Sequence, residues 1–167
     1  MEIPAGTPAG RRSKGALMTQ PRKWNLPLTY APKIEAVRNG TCTQTIRVTG
    51  KIHKSVGDLI SLHGYENGRG TPWTWRTPYN TITYIKDITI VGRGIICGFA
   101  PEEIPSDQRE EGSFLTYKLW FWNELNWLAA LDYISPPTGE ALRDVLIGMN
   151  GKIPEGGIEA QVIRWDV

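Results

Sequence analysis

Lys33-Ile34-Glu35-Ala36-Val37-Arg38-Asn39-Gly40-Thr41-Cys42-Thr43-Gln44-Thr45-Ile46-Arg47-Val48-Thr49 changes its structural grammar halfway along. Its first part reads as a short helix beginning at Pro32, because proline suits a first helical turn and Asn39-Gly40 supplies a left-handed stop. Its second part, Thr43 to Thr49, alternates β-branched and polar residues, which is the pattern of a strand with one face buried. A short helix feeding directly into a strand organises the rest of the chain around it.

Downstream, Val56-Gly57-Asp58 turns into a second strand, Leu59-Ile60-Ser61-Leu62-His63. Residues 64–79 form a loop rich in glycine and tryptophan. Thr81–Ile85, Ile88–Val91 and Gly94–Cys97 read as further strands or as one bent strand, with Gly92 and Gly94 permitting a bulge or corner. Residues 101–113 are an acidic, turn-rich excursion. Leu119–Leu131 is apolar on all sides and predicts a buried helix, broken by Pro136-Pro137. Thr138 then caps a second helix with Leu142, Val145, Leu146 and Met149 on one face. Ala160–Trp165 is a closing strand. The sum is an α+β chain, a small mixed β-barrel with a short leading helix and a helical pair before the last strand. Residues 1–22, with Arg11, Arg12, Lys14 and Arg22 and no hydrophobic period, read as a disordered basic tail, leaving 23–167 as a single domain.

The chain has 167 residues, 40% of them hydrophobic and 22% charged, enough to bury one core. No apolar run reaches the roughly 18 residues of a membrane span, and the first twenty residues lack the apolar core of a secretory signal, so a cytoplasmic protein is expected. Cys42 and Cys97 are too few for a disulfide scaffold or a cysteine-based zinc site. Neither a Gly-x-x-x-x-Gly-Lys loop nor a His-x-x-x-His pair occurs, so no metal and no cofactor are expected. The net charge of +2 hides an asymmetry: residues 1–100 hold 14 Lys and Arg against 5 Asp and Glu, and residues 101–167 hold 5 against 12. Either the basic half faces a polyanion, or the halves neutralise each other across their contact.

Arg47 is the strongest single candidate for function. A strand arginine beside a glycine-bounded turn can grip a phosphate or carbonyl bidentately, with Lys33, Lys51, Lys54 and Arg76 extending the same positive surface. The alternative is a structural ion pair, for instance with Asp58. Trp73, Trp75 and Tyr79, interleaved with Arg76, suit base stacking or else fold down as a cap over the core. Trp120, Trp122 and Trp127 read as core packing. Cys42 is either a nucleophile, if Arg47 or a helix end lowers its pKa, or an inert thiol.

The run Gly40-x-Cys42-x-x-Thr45-x-Arg47, followed by Val56-Gly57-Asp58 opening a strand, resembles the ASCH domain of the PUA-like β-barrels. The family signature has glycine, lysine, then Glu or Thr, then arginine at this spacing; Gly40, Thr45 and Arg47 match, while Cys42 stands where lysine is expected. Trp75-Arg76-Thr77-Pro78-Tyr79 and Ala130-Leu131-Asp132-Tyr133-Ile134 are similar to ASCH-like proteins from phage and prophage sources. The resemblance spans roughly residues 24–167. It implies binding of RNA, a nucleotide or a modified nucleoside in a polar cleft between the first helix and the barrel. Gly40, Lys33, Arg47, Trp73, Trp75, Arg76 and Tyr79 would bind, and no membrane would be involved. Some small ASCH proteins are amidohydrolases that remove an acetyl group from cytidine using lysine, threonine and glutamate. By that resemblance Thr45, Asp132 and tentatively Cys42 are the catalytic candidates. A third option is a protein-interaction module of a mobile element.

Overall fold

The computed structural model describes residues 20–65, 74–108 and 118–167. The bulk of the basic tail, residues 1–19, lies outside the described residues. Arg22, which the sequence assigned to that tail, is instead tied to the fold: its backbone N–H donates to Asp58 Oδ1 at 3.1 Å, and its carbonyl accepts from Leu59 at 2.8 Å. These bonds lead directly into a strand that the sequence pattern did not reveal, β1 (Lys23–Pro27).

In chain order β1 is followed by α1 (Ala31–Arg38), β2 (Gln44–Val48), β3 (Leu59–Gly64), β4 (Trp75–Arg76), β5 (Asn80–Val91), β6 (Gly94–Cys97), β7 (Lys118–Phe121), α2 (Asn126–Leu131), α3 (Gly139–Asn150) and β8 (Ile158–Trp165). The architecture is therefore mixed α+β, three helices on an eight-stranded sheet. β5 is its spine. The start of β5 pairs with β3, which also carries β1 in parallel and β4 antiparallel. The body of β5 pairs with β8, which pairs in turn with β2, and its far end pairs with β6 and then β7. Among the described residues no ladder joins β1 to β2, so the sheet is open there and α1 occupies the gap between the two strands in sequence.

The closing strand expected over Ala160–Trp165 is β8, which pairs back onto the early strand β2 and lies inside the sheet, between β2 and β5. Four consecutive residues, Ala160, Gln161, Val162 and Ile163, are buried, so neither face of β8 could serve as an outer surface. One expectation from the sequence is corrected. The helix expected over Leu119–Leu131 covers only its second half. Lys118–Phe121 form β7 instead, because β6 presents an open edge that these aromatic-rich residues fill. A 3₁₀ turn over Trp122–Glu124 then leads into α2. The tryptophans are core as expected: Trp120, Trp122 and Trp127 are all buried.

Side-chain alternation along β2 and β8 divides the interior into two apolar clusters. Ile46, Ala160 and Val162 face α2 and α3, while Ile163, Trp165 and Cys42 face α1, β1 and β3. The α2–α3 corner is very tight. Thr138 Oγ1 caps α3 by accepting from Ala141, and the Gly139 N–H donates to Asn126 Oδ1 at 2.9 Å. A Cβ added at Gly139 would stand 1.6 Å from the Trp122 carbonyl oxygen. Gly139→Ala is therefore expected to destabilise by about 3 kcal/mol through backbone overpacking. Gly148→Ala, near the open end of the same helix with nothing within 4 Å, should instead stabilise by about 0.5–1 kcal/mol. Paired urea-unfolding curves check both signs.

Candidate functional site

Lys33, Ala36 and Val37 are the buried residues of α1, at the i, i+3, i+4 spacing of one helical face. A lysine thus occupies the apolar stripe. Its side chain is 2% exposed, and Nζ donates to Asp132 Oδ1 at 2.7 Å; the Asp132 side chain is 9% exposed. The helix end beneath it is made as the sequence indicates. Gly40 takes φ +80°, and the Cys42 N–H closes on the Ala36 carbonyl at 2.9 Å. Gly40 is structural: any side chain there would collide with Val167 as well.

Asp132 is positioned by the way α2 stops. The Ile134 N–H reaches the Ala129 carbonyl at 2.9 Å and the Tyr133 N–H reaches Ala130 at 3.0 Å, a Schellman turn. The left-handed position, normally glycine, is Tyr133 at φ +53°. Such a residue costs on the order of 1–3 kcal/mol and persists only where the surroundings enforce it. Here the Tyr133 hydroxyl donates to the Thr41 carbonyl at 3.0 Å, fastening the end of α2 to the segment that enters β2.

β2 pairs with β8 along one edge, and Thr45 and Arg47 from it line a cavity of about 20 Å³ together with Lys33, Asp132 and the apolar residues Leu142 and Leu146 of α3. That is room for about one water. Thr45, Arg47 and Asp132, placed together by the resemblance, do share this pocket, with Lys33 as its fourth polar member. Arg47 Nε and Nη2 are out of water and have no hydrogen-bond partner among the described residues. Burial lowers the Arg47 pKa to about 10, opposed by the charge of Asp132. Asp132 is pushed up by burial, against the favourable charge and hydrogen bond of Lys33, the charge of Arg47 and the Gln44 amide. The expected Arg47–Asp58 ion pair does not form. Asp58 instead accepts from Trp24 Nε1 at 2.8 Å, the Ser55 N–H at 3.0 Å and the Arg22 N–H, because it sits in the turn that leads from β2 into β3, beside β1.

The surroundings are positive. Lys54, buried and 4.9 Å from the Trp24 ring, has its pKa lowered by burial and then by Arg47. His63 is lowered by burial and by Arg47 and Arg76, which keeps it neutral. Of the described residues of the arginine-aromatic loop, Trp75 folds down onto the sheet. Trp75 packs so closely over Gly64 that a Cβ there would lie 2.1 Å from its Nε1. Arg76 donates to Ser61 Oγ at 3.1 Å and stacks 4.8 Å above the Tyr79 ring, and Tyr79 donates to Asn25. Trp73 lies outside the described residues, and Lys51 is exposed. Cys42 is buried, its pKa raised chiefly by burial, so it is a neutral thiol near pH 7. Among the described residues no group of three or more His, Cys, Asp and Glu could hold a metal ion. Sequence reasoning missed Gln44, which is buried and bonded to Arg164 Nε at 2.8 Å through its Oε1. The available signal was its place one residue before Thr45 on an edge strand.

Compared with protein-family models, with characterised protein sequences and with solved structures, the chain has no match in any of the three.

The Lys33–Asp132 pair generates a double-mutant prediction. Lys33→Met or Asp132→Leu alone strands a buried charge and should cost about 3–5 kcal/mol. The double variant removes both charges and should recover at least half of the summed loss, measured by urea unfolding at pH 7.

Proposed function

We propose that this chain is an ASCH-like, PUA-related domain that binds RNA or a nucleotide through the polar cleft between α1 and the sheet. The observation that carries the reading is Arg47: two buried guanidinium donors have no hydrogen-bond partner among the described residues. Buried donors are nearly always satisfied, and a planar guanidinium matches a phosphate or a base carbonyl in two bonds at once. The charge balance supports an anion. Lys33, Arg47 and Lys54 stand against Asp132, which Lys33 occupies, and Asp58, which three N–H groups occupy. Tyr79 and Trp24, each already beside a cation, add aromatic surface on the same side of β3 as the basic groups.

Fluorescence anisotropy with a labelled single-stranded RNA tests this. The logarithm of affinity should fall linearly with the logarithm of salt concentration. Arg47→Met should weaken binding at least about tenfold, the loss of a charge-assisted bidentate contact. The same variant should make the free protein more stable by about 1–3 kcal/mol, since it removes a desolvated, unpaired group. Unchanged RNA affinity in Arg47→Met overturns the reading.

One observation favours catalysis as a second reading. Cys42 stands where the family's lysine is expected, yet Lys33 brings an ammonium into the cavity that Thr45 and Asp132 line. A threonine hydroxyl needs a base within hydrogen-bond reach, and Lys33 is held as the partner of Asp132. Against it, a cavity of about 20 Å³ admits no nucleoside in this conformation. Incubation with cytidine acetylated on its exocyclic amine, followed by chromatography, is expected to release no cytidine. Turnover that Thr45→Val abolishes would establish the enzyme instead.

A further inference from the structure

A second cleft, of about 710 Å³, opens on the other side of Gln44 from the Arg47 cavity. Its walls are the Thr41–Gln44 segment, the last turn of α2 and the turn at residues 102–105. The volume is that of a small-molecule site rather than a packing defect.

Its floor is chemically unfinished. Trp127 is 7% exposed and Gln44 3% exposed, and both line the cleft. Trp127 Nε1 is a donor out of contact with solvent and without a hydrogen-bond partner among the described residues. The orientation of the Gln44 amide follows from its neighbour: Arg164 can only donate, and its Nε bonds Gln44 Oε1, so the other end of the amide must be nitrogen. Gln44 Nε2 also lies near Asp132, whose ionised form it favours, and so stands between the two sites.

Arg164 makes the wall cationic. Its guanidinium stacks on Tyr84, 4.6 Å from the ring centre, and no carboxylate among the described residues forms an ion pair with it. Of the two acids on the opposite wall, Glu103 is already engaged by Lys86 at 3.0 Å and by the Tyr84 hydroxyl, and Glu102 is exposed at the rim. Ala130, Leu131 and Pro105 provide apolar surface, with Leu131 45% exposed although Trp127, Leu128 and Ala129 of the same short helix are buried. One unmet indole donor, one cation without a carboxylate and an apolar wall together describe the complement of a carboxylate on an apolar body.

We propose that this cleft binds a small aromatic or branched-chain carboxylate, its carboxylate facing Arg164 and Trp127 and its apolar body resting on Ala130, Leu131 and Pro105. The site is separate from the one assigned to RNA or nucleotide, and its occupant is recognised by charge and shape without any base or phosphate.

Titration of the full chain with sodium benzoate, followed by the assigned indole N–H resonance of Trp127, tests the proposal. Benzoate should move that resonance saturably with a dissociation constant in the range of about 1–10 mM, as expected for so few ligand atoms. It should also give ligand contacts to the methyl groups of Ala130 and Leu131. Benzamide, isosteric and neutral, should bind at least about tenfold more weakly. Arg164→Gln should lose the preference for benzoate, and Arg164→Lys should keep part of it. Arg47→Met should leave the benzoate titration unchanged, which separates this site from the proposed RNA site. A Trp127 resonance unmoved by benzoate up to about 50 mM, or equal affinity for benzoate and benzamide, overturns the proposal. The comparison of the two ligands needs no variant, so misfolding of an Arg164 substitution would not rescue it.

Discussion

One ion pair out of water, Lys33 to Asp132 at 2.7 Å, holds the two halves of the candidate site together. It links residues 99 apart in sequence, from a helix that follows the first strand to the end of a helix that follows most of the sheet. Desolvating two charges costs several kcal/mol per ion, so the pair is poor as a source of net stability. Its consequence is positional. Asp132 can lie against β2 only because Lys33 neutralises it there, and Arg47 keeps its charge beside them partly because Asp132 is near. Two cations and one carboxylate therefore share the deep pocket, which leaves it one negative charge short. A phosphate or another anion would restore the balance, and a pocket of about 20 Å³ must widen to admit one.

The same economy explains why local strain collects here. Tyr133 adopts a conformation that glycine would take more easily, yet glycine would lose the bond to Thr41 that fastens α2 to the strand carrying Thr45 and Arg47. Among the described residues Arg47 leaves two donors unmet and Trp127 leaves one. An isolated orphan donor could be a packing accident. Orphans grouped on one edge strand and the helix facing it, each against a cavity, are the pattern expected when stability is surrendered for recognition.

Local signals in the sequence were enough where one element decides its own conformation. Pro32 and Asn39-Gly40 bound α1 correctly, alternation from Thr43 to Thr49 gives β2, and Gly57 at φ +90° makes the expected turn. They failed where a partner decides. Leu119-Trp120-Phe121-Trp122 fits a buried helix or a strand equally well, and only the free edge of β6, unknown from the sequence, selects the strand. The central place of β8 is likewise a property of its neighbours. For the site, the ASCH-like spacing brought Thr45, Arg47 and Asp132 into one pocket, and Lys33 was marked as basic. Its partner was not legible, because Asp132 follows an apolar segment with no cation nearby in sequence. Lys33 was nonetheless recognisable as unusual, since Ala36 and Val37 put it on the stripe that α1 must bury.

Moving the amine from position 42 to a helix has a mechanistic consequence. An ammonium on a strand beside a threonine can exchange protons with the hydroxyl while the acid stays free to orient it. An ammonium on α1 that shares a 2.7 Å bond with the acid commits both groups to each other. Drawing the proton from Thr45 would require breaking that bond in a pocket too small for the water that would replace it as well as a substrate. Arg47 faces no such conflict, because its donors are already free and already dry. The arrangement has the polarity of a hydrolytic site and the connectivity of a binding site, and connectivity is what determines whether a proton can move.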